Sequence, residues 1–201
     1  MYVAAFNGSP RKGGNTFMLL RRCLNILEKE GMETRLIQVG GSSIHGCRAC
    51  QMCRKNNLER CVFNDDPLNE WLEEMKKADG ILLGSPTYFW SVTPEMKALI
   101  DRAGFIARGA LRRGGARCLF SGKIGAALSA YYRSGSVHSI QTMQAFFLTT
   151  GMIVPGSVYW PHAMDASNGT LPHGAEQDAD GLHYVDELGN ALVRLLKMLH
   201  S

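Results

Sequence analysis

The feature that most constrains this chain is its first thirty residues. A strand-length apolar run at 2–6 feeds directly into Gly8-Ser9-Pro10-Arg11-Lys12-Gly13-Gly14-Asn15-Thr16. Apolar residues then recur at Phe17, Leu20, Leu24 and Leu27, which is helical spacing, and Gly31 supplies a stop. The predicted unit is strand, tight loop, helix over 16–30. Glycines let such a loop turn several N–H groups toward one anion, and the helix adds its positive N-terminus. Ser9, Asn15 and Thr16 bring short polar side chains, and Arg11 brings charge. The nucleotide-triphosphate loop is excluded, because Gly14 is followed by Asn15-Thr16 rather than Lys-Ser/Thr. The pattern G-x-G-x-x-G is also absent. An ordinary strand–turn–helix connection has the same composition.

The rest of the chain repeats the alternation. Strands are predicted at 34–39, 81–83, 124–131 and 153–159, and helices at 67–77, 94–106, within 136–151 and at 184–199. Asp66 with Pro67, and Thr93 with Pro94, read as helix starts. Residues 40–66, 108–121 and 160–181 read as long connections, and the first of these has the length of a functional loop. The expected fold class is α/β: a doubly wound, five-stranded parallel sheet with helices on both faces, as one domain over 1–201. In such sheets ligands bind at the carboxyl ends of the strands, where the strand order reverses.

The loop after the third strand, Gly84-Ser85-Pro86-Thr87-Tyr88-Phe89-Trp90-Ser91, combines three successive aromatics with small polar residues. It can set backbone N–H groups and a ring against a flat heteroaromatic ligand. Aromatics fill cores and subunit interfaces in the same way.

Together, GSPRKGGNT after the first strand and GSPTYFWSVTPEMKALIDR after the third resemble the NAD(P)H-dependent FMN reductase and iron–sulfur flavoprotein group, over residues 2–156. The resemblance implies a flavodoxin-like fold. It places the FMN phosphate at Ser9, Arg11, Asn15 and Thr16. It places the isoalloxazine and ribityl chain at Pro86, Thr87, Tyr88, Phe89 and Ser91. A third loop, at 131–136, would border the ring through Tyr131, Ser134 and Gly135. Its sequence, Tyr131-Tyr132-Arg133-Ser134-Gly135-Ser136, is less glycine-rich than in relatives.

Four of the six cysteines crowd into fifteen residues as Cys47-x2-Cys50-x2-Cys53-x7-Cys61. In a cytosolic chain such crowding points to metal or redox chemistry. Four thiolates are the usual set for a [4Fe–4S] cluster, and both spacing and position after the second strand match the compact motif of the iron–sulfur flavoproteins. Structural zinc and a metal-free loop are the alternatives. Cys23 and Cys118 lack partners at ligand spacing, and the six histidines form no metal pattern. His138 follows the third loop and could reach a ligand there. Arg108, Arg112, Arg113 and Arg117 read as a solvated or interface surface that could dock dinucleotide phosphates.

No hydrolase triad or carboxylate pair stands out, as suits chemistry carried by a cofactor. The expected activity passes electrons from NAD(P)H or ferredoxin through FMN to a quinone, flavin, oxygen or protein acceptor. A cluster-free FMN reductase and a non-enzymatic electron carrier are the rival readings. Relatives imply a homodimer or homotetramer. The 22 Lys/Arg against 18 Asp/Glu are too evenly spread to imply nucleic acid. With no apolar stretch approaching a span and no signal-peptide pattern, no membrane partner is expected, and the expected location is cytoplasmic.

Overall fold

The computed structural model describes residues 1–112, 114–167 and 173–200. Five strands form one sheet: β1 (Tyr2–Asn7), β2 (Glu33–Gln38), β3 (Gly80–Pro86), β4 (Ile124–Tyr131) and β5 (His162–Met164). All pairings are parallel, in the order β2-β1-β3-β4-β5. The order therefore reverses between β1 and β3, where the carboxyl ends open a crevice. The expected α/β, flavodoxin-like architecture is what the chain adopts.

The pleat divides each central strand between two cores. Ala4, Phe6, Ile81 and Leu83 face one side. There they meet α3 (Leu68–Lys77), α4 (Pro94–Ala107) and α6 (Ser136–Thr149). Val3, Ala5, Leu82 and Leu128 face the other, under α1 (Asn15–Lys29) and α7 (Ala179–Leu199). In α7, Val185, Leu188, Leu192 and Leu196 form one buried stripe at helical spacing. Each such side chain contributes about 1.5–3 kcal/mol on full burial. Cys23 lies fully buried in α1, and burial pushes its thiol up to about 12, so it packs as a small apolar group.

The fifth strand is a correction. The apolar run 153–159 does not form it. Ile153 bridges Ile124, exchanging hydrogen bonds with Lys123 and Gly125. Pro155 has no N–H for the ladder, and the chain leaves the sheet. It returns at His162–Met164, which pairs with Ser129–Tyr131. The closing helix also begins earlier than residue 184. Asp178 caps it, accepting from Gly181 N at 3.0 Å. Gly181 is needed because a Cβ there would sit 2.7 Å from Ala163 of β5. The start of α3 falls one residue later than expected: Pro67 is the N-cap, and Asp66 before it accepts from Leu68 N at 3.2 Å. Two short helices, α2 (Met52–Lys55) and α5 (Gly109–Arg112), lie within the long connections. The Arg112 side chain and Arg113 lie outside the described residues. No helix of the described residues is long and apolar enough to cross a membrane.

Candidate functional site

The first loop leaves β1 and is held by groups far apart in sequence. Buried Asn7 accepts from Ser9 N through Oδ1 at 3.1 Å, and its Nδ2 donates to Gln38 Oε1 at 2.8 Å. Gln38 Nε2 lies 2.6 Å from the Ser9 carbonyl and 2.7 Å from that of Gly40. Gly8 N donates to Gly84 O at 2.7 Å, and Thr93 Oγ1 donates to Gly8 O at 2.8 Å. These bonds tie the loop to β2, β3 and the start of α4. The α1 N-cap is Gly14, and no side chain caps the helix. Its first-turn N–H groups are thus available to an anion. Arg11 makes no ion pair among the described residues and stands over this end of the cleft. Asn15 Oδ1 accepts from Ala175 N at 3.1 Å, which leaves its amide NH2 for a ligand.

The second loop is a tight two-residue turn. Tyr88 and Ser91 exchange both backbone hydrogen bonds, at 2.8 and 3.0 Å. Phe89 and Trp90 between them have φ of 43° and 67°. Bulky residues in left-handed conformations are strained, and here they occupy positions that glycine or asparagine usually fills. The base of the loop is pinned to the sheet: Thr87 N donates to Ala130 O, and Thr87 Oγ1 lies 3.1 Å from Ser129 Oγ. Buried Ser139 Oγ lies 2.9 Å from Ser91 O. Gly135, at φ +89°, lets the third loop press against Trp90, whose Cα is 3.0 Å from where a Cβ would be. Trp90 also meets the His138 ring edge-on, at 5.0 Å between centroids.

Ser9, Arg11, Asn15, Thr16, Pro86, Thr87, Tyr88 and Tyr131 gather around one cleft of about 250 Å³. Phe89, Ser91, Ser134 and Gly135 lie outside its lining. Phe89 is fully exposed at the turn tip, and Ser134 is exposed. Ser91 closes the turn, and Gly135 packs on Trp90. The cleft also takes in Tyr132 of the third loop, and Ala130 and Asp165, which the sequence did not single out. Nor did it mark His162 behind Tyr131, with centroids 4.9 Å apart. His162 Nδ1 lies 2.7 Å from Ser136 Oγ, and burial lowers its affinity for a proton. A larger groove of about 520 Å³ lies on the α4–α6 surface, away from these loops.

Replacing Ser9 and Asn15 together by alanine is expected to weaken flavin binding about a hundredfold or more. With the phosphate at this loop, each residue would supply a hydrogen bond to a charged group worth roughly 1.5–3 kcal/mol. Flavin titration checks this, and unchanged affinity would place the phosphate elsewhere.

The cysteine loop leaves the same edge of the sheet after β2. Cys47, Cys50, Cys53 and Cys61 all line one small, partly open cavity with Arg102, Phe63, Phe105 and Ile106. All six cysteines are free thiols. Ala49 and Gln51, on either side of Cys50, have φ of 50° and 58°. Asn69 of α3 anchors the fourth cysteine, accepting from Cys61 N at 2.8 Å and donating to Cys61 O at 3.1 Å. Burial raises the Cys53 thiol pKa, and the other three cysteines push the same way. Beneath the cavity Arg102 Nη1 donates to the Asp66 carboxylate and, at 3.1 Å, to His45 O. Burial would raise the Asp66 carboxyl. Hydrogen bonds from Arg102 and from the N–H groups of His45 and Leu68 outweigh it and hold the group below the usual carboxylate range.

Four cysteines around one cavity are a ligand set that an iron–sulfur cluster can use. Tetrahedral zinc with bonds of about 2.3 Å holds its sulfurs about 3.8 Å apart. Among the described residues no three of these sulfurs gather within 4.8 Å. A cubane of four irons takes four thiolates set more widely than a single zinc does.

Comparison with known proteins bears on the family and the fold. The family described as NADPH-dependent FMN reductase matches residues 1–166. An iron–sulfur flavoprotein of Methanocaldococcus jannaschii is 34% identical over 202 residues, covering 99% of this chain and 99% of its own length. An iron–sulfur flavoprotein of Methanosarcina thermophila is 30% identical over 205 residues, covering 100% and 98%. Among solved structures, a flavodoxin from the domain Archaea superposes with a TM-score of 0.60 at 18% identity, over 98% of this chain and 99% of that one, a likeness of fold.

Proposed function

Because the chain belongs to the NADPH-dependent FMN reductase family, we propose that it is an FMN-dependent oxidoreductase whose carboxyl-edge cleft holds the flavin and whose four-cysteine cavity holds a [4Fe–4S] cluster. The observation that carries the reading is the convergence of Ser9, Arg11, Asn15, Thr16, Pro86, Thr87, Tyr88 and Tyr131 on one cleft. Bound FMN supplies two-electron exchange with a hydride donor and one-electron exchange with a carrier, and a thiolate-held cluster supplies one-electron exchange.

The residues divide the work by chemistry. The uncapped first turn of α1 and Arg11 suit a terminal phosphate dianion. Pro86, Thr87 and Tyr88, pinned through Ala130 and Ser129, form a rigid wall for the ring system. Tyr131 and Tyr132 also line the cleft. Donors of the NAD(P)H or ferredoxin class and acceptors of the quinone, flavin, oxygen or redox-protein class fit this arrangement. A homodimer or homotetramer and a cytoplasmic location are part of the same reading.

Flavin released by denaturing the protein should run as FMN on chromatography, at one per chain, because the loop suits a single terminal phosphate. NADH or NADPH should reduce it in a steady-state assay with a quinone acceptor. Stoichiometric FAD would overturn the cofactor assignment. Reduction by ferredoxin alone, without turnover of any small acceptor, would favour the electron carrier.

A further inference from the structure

Arg102 is the bulkiest fully buried side chain of the described residues. A lone guanidinium in an apolar interior is costly, and its five N–H donors each require an acceptor. Nη1 is satisfied by Asp66 and the His45 carbonyl. Nε and Nη2 are buried and have no hydrogen-bond partner. Leaving buried donors unmet costs about 1–3 kcal/mol each, so a side chain held this way needs a further acceptor. The guanidinium lines the cavity that all four cysteines share, and Cys61 is its neighbour there. Asp66 offers one carboxylate against this cation plus whatever the cysteines bind.

We propose that Arg102 is the charge-compensating and positioning residue of the iron–sulfur centre, its Nε and Nη2 groups serving as donors to the sulfur side of the cysteine cavity. The inference rests on the cluster reading above. Four thiolates around a cubane make an anionic centre, and one more electron makes it more negative. A buried cation alongside favours that electron, since charge interactions are strong where water is excluded. The same donors hold sulfur against loss of iron. Arg102 lies on α4, the helix that begins at Thr93 beside the flavin loop, so one rigid element positions both loops.

The test is a potentiometric titration of anaerobically reconstituted protein with dithionite as reductant, followed by low-temperature electron paramagnetic resonance. Removing Arg102 alone strands the Asp66 charge, so Asp66→Asn/Arg102→Gln is the charge-neutral variant. Arg102→Lys keeps the charge and removes the fork of donors. Flavin titration and circular dichroism verify folding. The double variant should be reduced with an equilibrium constant at least tenfold smaller, about 59 mV for one electron. Arg102→Lys should lose iron to a chelator several-fold faster than wild type. Wild-type potential and iron retention in both variants would overturn the role of Arg102 and leave the cluster standing. A wild-type chain that takes up no iron under reconstitution would overturn the cluster reading itself.

Discussion

Gly40→Ala is expected to abolish most flavin affinity and to destabilise the fold by about 3 kcal/mol. A Cβ at residue 40 would lie 2.2 Å from the Ser9 carbonyl carbon and 2.4 Å from the carbonyl oxygens of Gly8 and Ser9. These are backbone atoms of the first loop, and they cannot rotate aside as a side chain could. They are also held by Gln38, Gly84 and Thr93. Relief of the clash must therefore move the loop and break some of these bonds. Losing two charge-assisted hydrogen bonds to a phosphate corresponds to about a hundredfold in affinity or more. Thermal unfolding and flavin titration measure the two effects. Gly156→Ala, where a Cβ meets nothing within 4 Å, is the control and should change neither. Wild-type affinity and thermal midpoint in Gly40→Ala would show that the loop yields and that the phosphate does not depend on its position.

Cys50→Ser is expected to eliminate or alter the cluster signal while leaving FMN bound. Cys50 sits between two residues in left-handed conformations, Ala49 and Gln51. Such conformations cost roughly 1–3 kcal/mol each for non-glycine residues, and surrounding structure must impose them. On the proposed reading, metal ligation would supply that ordering energy to a loop with little core of its own, because Cys47 and Cys50 are exposed and the short α2 buries no residue. Without the fourth thiolate the cavity cannot complete the ligand set. Iron and sulfide per chain should fall from four in the wild type to well below that in the variant. Electron paramagnetic resonance of the dithionite-reduced protein should change in step. An identical signal in Cys50→Ser would remove Cys50 from the ligand set.

How much of this was legible in advance follows from the range of each signal. The first loop, the Thr93 start of α4 and the four cysteines were readable because glycine freedom, capping and ligand spacing are properties of adjacent residues. The lining of the cleft was readable only through paired motifs, and there the outcome was mixed. Tyr88 lines the cleft, whereas Phe89 next to it points into solvent because the turn is closed between Tyr88 and Ser91. The fifth strand was misplaced because apolar content at 153–159 says nothing of which residues still have an N–H to pair, and Pro155 breaks the ladder.

The sequence by itself determined the alternation of strands and helices, the edge of the sheet on which the loops meet, and the residue types offered to phosphate and metal. Hydrophobic periodicity and turn chemistry act over a few residues, and a linear reading captures them. Only the tertiary structure decided what holds those loops in place: Asn7 on Gln38, Gly40 against Ser9, and Arg102 on Asp66 under the cysteines. Asn7 and Gln38 are 31 residues apart, and Asp66 and Arg102 are 36 apart. A buried polar group needs a partner wherever the fold can bring one, and parallel strand pairing brings together segments that no local pattern connects.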